Sequence, residues 1–132
     1  MFRGGSFKSL KELGLFGKIS MGNRAFEQTK VEGSIVIPEG CKEVSTAAFL
    51  NATAKTIELP STISYLFGNC FQNVRVDNLI FHATKPPRIY GYWEFSYADI
   101  THIYVPDESV DAYRLANLAQ GLGFEPLSEF QG

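Results

Sequence analysis

Ser96, Asp99 and His102 fall close together in the chain and carry the hydroxyl, carboxylate and imidazole of a hydrolytic triad. Such a set works only when the three groups converge at hydrogen-bond distance, and the repeat phase described below spreads them along an arc and a strand. No catalytic residue is therefore expected. Cys41 and Cys70 occupy places that are apolar in other units, so they are read as buried free thiols, with a disulfide as the next reading and a metal pair after it. His82 stands where other units place proline, and His102 precedes an inward isoleucine, which makes both strand-flanking surface residues rather than bases. Gly121-Leu122-Gly123 follows a helix-forming stretch instead of a strand, the wrong side for a phosphate loop. Neither a cofactor nor a metal ion is expected.

A second set suits recognition instead of catalysis. The segment from Pro86 to Tyr97 holds the chain's single Trp, and the phase places Tyr90 and Phe95 in the core but Tyr92, Trp93 and Tyr97 at outward or edge offsets. Exposed aromatic clusters are typical recognition surfaces. The competing and preferred reading is that Trp93 folds over the edge of the stack and shields a turn two residues longer than its counterparts.

The elements that position these residues follow from self-similarity. An apolar-x-apolar triplet recurs as Leu13-Gly14-Leu15, Ile35-Val36-Ile37, Ile57-Glu58-Leu59, Leu79-Ile80-Phe81 and Ile103-Tyr104-Val105, at intervals of 22, 22, 22 and 24. Pro38, Pro60 and Pro106 follow three of them, where a residue without an N–H ends a strand. Phe26, Phe49, Phe71 and Phe95 recur in step, preceded by Ala25, Ala48, Cys70 and Glu94. Met21, Val44, Leu66 and Tyr90 lie five residues before each Phe, and Val31, Ala54, Val76 and Ile100 five after. A unit of this size cannot bury its apolar side alone, so neighbours must stack with equivalent strands in a parallel ladder. Regularly spaced turns would also permit an antiparallel sandwich, but that fold needs no Phe at a fixed offset.

The string Ile-x-Leu-Pro, then apolar-Gly-x-x-Ala-Phe, then an apolar residue five positions on, resembles the BspA-like leucine-rich repeats. Met21 to Phe26 and Tyr90 to Phe95 carry the Gly of that motif, which Ser45 and Phe67 replace in the middle units. The likeness runs from about Leu10 to about Leu118 and includes the closing segment from Ile103 to Tyr113. It implies a right-handed solenoid from exported or surface proteins of host-associated bacteria, used in adhesion and recognition, and it implies no enzymatic activity.

The expected fold is thus an α/β repeat: a short right-handed leucine-rich-repeat solenoid of about five units, with a parallel β-ladder on the inner face, irregular or 3-10 returns and a C-terminal capping helix. One domain spans 1–132, with an N-terminal cap or array junction over 1–12, repeats over 13–106 and a C-terminal cap over 107–132. Part of Ser6 to Leu13 is expected to form a turn or short helix. In the C-terminal cap Asp107 is the expected N-cap, with Val110, Tyr113, Ala116 and Leu118 facing inward and Gly121 as the stop. Leu122, Phe124 and Leu127 are expected to cross the last unit in extended form, with Ser128 to Gly132 frayed.

Composition removes other classes. Twelve Lys plus Arg against fourteen Asp plus Glu give a net charge of -2, which offers no footprint for nucleic acid or an anionic membrane. No apolar run is long enough for a membrane span, and the opening residues lack the apolar segment of a signal peptide, which suits a piece of a longer array or a short protein alike. What remains is a non-catalytic, adhesion-type module that binds a protein partner. The middle residue of each triplet points away from the core, giving Gly14, Val36, Glu58, Ile80 and Tyr104, flanked by Glu12, Ser34, Thr56, Asn78 and His102. This inner row is the expected protein site. Alternatives are carbohydrate binding centred on Tyr92, Trp93, Tyr97 and Tyr104, and a structural spacer or cap that binds nothing.

Overall fold

The computed structural model describes residues 21–116, 118 and 121–131, and the backbone of residues 6 and 7. Glu12, the Leu13–Leu15 triplet and Gly14 lie outside the described residues. Ser6–Phe7 form a two-residue strand, β1, and the rest of the segment to Leu13, where a turn or short helix is expected, lies outside the described residues. The other strands are Lys30–Val31 (β2), Ser34–Val36 (β3), Glu43–Val44 (β4), Thr53–Leu59 (β5), Tyr65–Phe67 (β6), Arg75–Phe81 (β7), Arg88–Tyr90 (β8), Asp99–Val105 (β9) and Glu125–Pro126 (β10).

Every pairing among the described residues is parallel, which sets the antiparallel alternative aside. The larger sheet runs β1-β2-β5-β7-β9-β10 with β3 beside β5, and a second sheet runs β4-β6-β8. The triplets stand in register as the repeat requires, with Ile35 beside Ile57, Ile57 beside Leu79 and Leu79 beside Ile103. Ala54 and Ile57 are both buried although three apart, and the ladder skips Lys55, Asp77 and Thr101, so each long strand bends there and turns two apolar positions inward.

The returns differ from the expected irregular or 3-10 segments. Those carrying Phe49, Phe71 and Phe95 contain a short strand of the second sheet (β4, β6 and β8) and then a double turn with the Phe; among the described residues, 3-10 geometry occurs only at Asp107–Ser109 and Leu127–Glu129. The Phe rings form a continuous stack: Phe26 on Phe49 at 5.2 Å, Phe49 on Phe71 at 5.3 Å and Phe71 on Phe95 at 5.2 Å. Each such contact contributes about 0.5–1.5 kcal/mol beyond the area it buries.

Helix α1, Val110–Ala116, closes one end of the stack. Tyr113 is fully buried, packs on Phe81 and Phe124, and donates its hydroxyl hydrogen to the Ala83 carbonyl at 2.7 Å. Ala116, expected inward, is exposed, since the helix ends there. Asp107, expected as the N-cap, is instead the first residue of the 3-10 turn Asp107–Ser109, whose N-cap is Pro106, and its carboxylate accepts from the Ser128 N–H at 2.9 Å. The C-terminal residues are correspondingly ordered where fraying was expected: β10 pairs with Tyr104 and Val105, Leu127–Glu129 make a 3-10 turn, and Phe130 packs on Tyr104 at 5.2 Å. Among the described residues no helix is long and apolar enough to cross a membrane.

Candidate binding surface

The double turns have a fixed backbone code. The residues two before and two after each Phe have positive φ: Arg24 and Gln28, Ala47 and Asn51, Asn69 and Asn73, then Trp93 (62°) and Tyr97 (56°). This geometry lets alternate N–H groups reach the neighbouring unit. Ala47, Phe49 and Asn51 donate to the carbonyls of Gly68, Cys70 and Gln72, and Asn69, Phe71 and Asn73 to those of Tyr92, Glu94 and Ser96. Asparagine tolerates the left-handed region through its short polar side chain, whereas a bulky aromatic there costs of order 1 kcal/mol or more. The fourth unit places two such aromatics at these positions.

Neither aromatic gains burial in return. Tyr92, Trp93 and Tyr97 are 78%, 67% and 87% exposed, so Trp93 does not fold over the edge as the packing reading held. Trp93 and Tyr97 flank an open cleft whose remaining lining is Gln72 and Ser96. The surface continues onto the second sheet, where Tyr90 meets Tyr65 at 5.4 Å and Phe67 at 5.8 Å. Tyr90 was assigned to the core, yet it is 48% exposed. The ladder shows why: Leu66 pairs with Ile89, and Tyr90 pairs with Phe67. One of the extra residues of the long unit lies between this strand and Phe95 and shifts the phase by one. Gly91 absorbs the excess at φ 142°, so close to Gly68 that a Cβ would come within 2.8 Å of its backbone.

Sequence reasoning missed Glu94 as well as Tyr65, Phe67 and Ile89. Glu94 takes the column place of Ala25, Ala48 and Cys70, is 7% exposed, and has one carboxyl oxygen, Oε2, buried without a hydrogen-bond partner among the described residues. Burial raises its pKa above the ordinary carboxylate value. The neighbouring Cys70 thiol is pushed well up, mainly by its own burial and then by the Glu94 charge. The substitution of an acid for a small residue in an otherwise strict column was the visible signal.

The row of middle triplet residues is less open than expected. Ile80 is 1% and Tyr104 6% exposed, and the flanking Thr56 is buried. Ile80 and Tyr104 stand apart from the core cluster, so the alternation held; it is the openness that fails. Tyr104 is covered by Phe130 on one side and His102, at 5.5 Å, on the other, and Ile80 is held between Glu58 and Tyr104 of the adjoining strands. Val36, Glu58, Asn78 and His102 are half-buried. Asn78 donates to the Thr56 hydroxyl at 3.3 Å, His82 bonds to Glu58 at 2.5 Å and His102 to Glu125 at 2.7 Å. These side chains are engaged with one another across the strands.

The residues of chemical type are not brought together. Asp99 lies 3.8 Å from Arg75, His102 bonds to Glu125, and Ser96 sits on the double turn beside the aromatic cleft. Cys41 and Cys70 are both free and buried, as expected of small apolar residues. Among the described residues no group of three or more His, Cys, Asp or Glu is placed to hold a metal ion.

A family model described as the BspA type leucine rich repeat region matches residues 7–117 in six copies. No curated protein and no solved structure matches the chain.

Proposed function

Because the chain belongs to the BspA-type leucine-rich repeat family, whose members are generally non-catalytic repeat modules, we propose that it binds a protein partner through the exposed aromatic surface of its fourth unit. The observation that carries this is the pair Trp93 and Tyr97, bulky, exposed and held at positive φ. Folding alone favours asparagine at those positions, and backbone strain of this kind clusters at functional sites. The inner row proposed from the sequence is a weaker candidate, since Thr56, Ile80 and Tyr104 are buried.

The wider reading is an adhesion-type module of a secreted or surface protein of bacteria, in keeping with where this family is typically found. Parallel strands joined by crossovers support a right-handed solenoid, since such connections are right-handed almost without exception. A single domain over 1–132 with repeats over 13–106 and a closing cap over 107–132 accords with Tyr113 and Phe124 packing on the last units.

One observation favours a glycan as the second reading: the Trp93–Tyr97 cleft places an amide, Gln72, and a hydroxyl, Ser96, between two aromatic walls. The readings separate by experiment. Immobilised chain is probed with a panel of extracellular proteins and with a glycan array, alongside a Tyr92→Ser/Trp93→Ser variant. Protein binding lost in the variant at an unchanged thermal midpoint is the expected result. Binding only to glycans, with quenching of Trp93 fluorescence, would move the site to sugars. Binding that survives in this variant but fails in Val36→Ser/His102→Ala would return it to the triplet row. A chain that binds neither class is a spacer or cap.

A further inference from the structure

The two sheets end differently. The last long strand, β9, is covered by β10, a two-residue strand supplied by the chain itself, with Glu125 beside Tyr104 and Pro126 beside Val105. The second sheet ends at β8, whose outer edge has no strand beside it among the described residues and whose three residues are all exposed. Arg88 donates its N–H to the Ser64 carbonyl at 2.8 Å, so the alternation of a parallel ladder turns the N–H and C=O of Ile89 toward the open edge. In the turn that follows, the N–H groups of Trp93, Phe95 and Tyr97 correspond to those of Asn69, Phe71 and Asn73, each of which reaches a carbonyl of the next unit. No described residue accepts from the fourth-unit set. Among the described residues, backbone donors without an acceptor therefore stand on β8 at Ile89 and on the double turn that follows at Trp93, Phe95 and Tyr97.

Within this sheet the inner strands β4 and β6 have such groups met by the backbone of the neighbouring unit. We infer that the β8 edge takes up an extended peptide segment of the protein partner as an added parallel strand, with an acidic residue at its N-terminal end followed by apolar residues at alternate positions. The charge follows from Lys85 and Arg88, exposed at the start of β8 and outside every ion pair among the described residues. The apolar alternation follows from two grooves along the edge, one between Ile89 and Ala116, the other between Phe95 and Tyr97, with Leu118 lining both. The direction follows from the fold, in which β10 already makes the same kind of addition. This inference rests on the protein-binding reading and narrows it to one edge.

The test is selection of a phage-displayed random octapeptide library on the whole chain, followed by fluorescence anisotropy with the selected peptide. We expect an acidic residue followed by alternating apolar ones, and about tenfold weaker binding to Ile89→Pro, which lacks the outward N–H but keeps the bonds of Arg88 and Tyr90 to β6. Arg88→Glu should weaken binding and recover it when the peptide's acid is replaced by lysine. Should Ile89→Pro not fold, N-methylation of the peptide at alternate residues tests the same claim on unaltered protein: one alternate set should weaken binding about tenfold and the other leave it unchanged. Equal effects of the two sets, no acidic-apolar consensus, or a dimer of the chain that occupies the edge in sedimentation each overturn it. A protein partner lost on Trp93→Ser but kept on Ile89→Pro overturns strand addition while leaving the protein-binding reading in place.

Discussion

The rings of Phe49 and Phe71, 22 residues apart in sequence, stack 5.3 Å apart with their planes 2° from parallel. Both are fully buried, and each backbone N–H donates to the unit beyond, Phe49 to Cys70 and Phe71 to Glu94, both at 2.8 Å. Register is thus set twice at one residue, by ring packing inside the stack and by hydrogen bonding along it. Phe71→Ala leaves a cavity between two rings that the flanking turns cannot close, and a loss of about 3–5 kcal/mol is expected in urea denaturation. A loss under ~1 kcal/mol would mean that the stack does not set the register.

Glu94 makes stability depend on pH. Its folded-state pKa is raised, so the folded chain holds a proton that the unfolded chain releases, and stability falls as pH rises from the ordinary carboxylate range through the raised value. Glu94→Gln should remove that dependence, raising the thermal midpoint at pH 7 while leaving it nearly unchanged at pH 4. Equal shifts at both pH values would contradict the assignment.

The C-terminal residues act as a strap over Tyr104. Phe130→Ala should lower stability by about 1 kcal/mol through the lost ring contact, with faster hydrogen exchange at Tyr104 and Val105, which pair with β10. Hydrogen bonding from Ser128, first from its side chain and then from its N–H, holds the Asp107 carboxyl below its usual range, so this tie is present above the ordinary carboxylate pKa and is lost as pH falls through the depressed one. Exchange at Ser128 followed down a pH series checks it.

What the sequence made legible was whatever the repeat enforces. Ile35, Ile57, Leu79 and Ile103 align because a stacked unit must bury the same position each time, and Phe26 to Phe95 for the same reason. The misreadings lie where the period breaks or the chain returns from far away. Tyr90 was placed one residue out of phase because the two extra residues of its unit can enter at several points, and only the ladder shows that one follows β8. Ile80 and Tyr104 pointed away from the core as alternation demands, but no local pattern announces that Phe130 comes back to cover Tyr104. Asp107 before a helix reads as a cap until Ser128 takes its carboxylate. The left-handed positions at Trp93 and Tyr97 were legible only in part, since the asparagines at 51, 69 and 73 mark the turn but not the conformation of the residues replacing them.

The central claim is that Trp93 and Tyr97 are held at positive φ for recognition and at some expense of stability. Its most direct measurement is the double variant Trp93→Asn/Tyr97→Asn, followed by thermal melting and by titration with the bound protein. Asparagine relieves the backbone strain without removing a core contact, so the midpoint should rise by about 2–8 °C while binding weakens at least ~tenfold. A midpoint that falls, with binding retained, would show that the two aromatics serve packing and that the partner is met elsewhere.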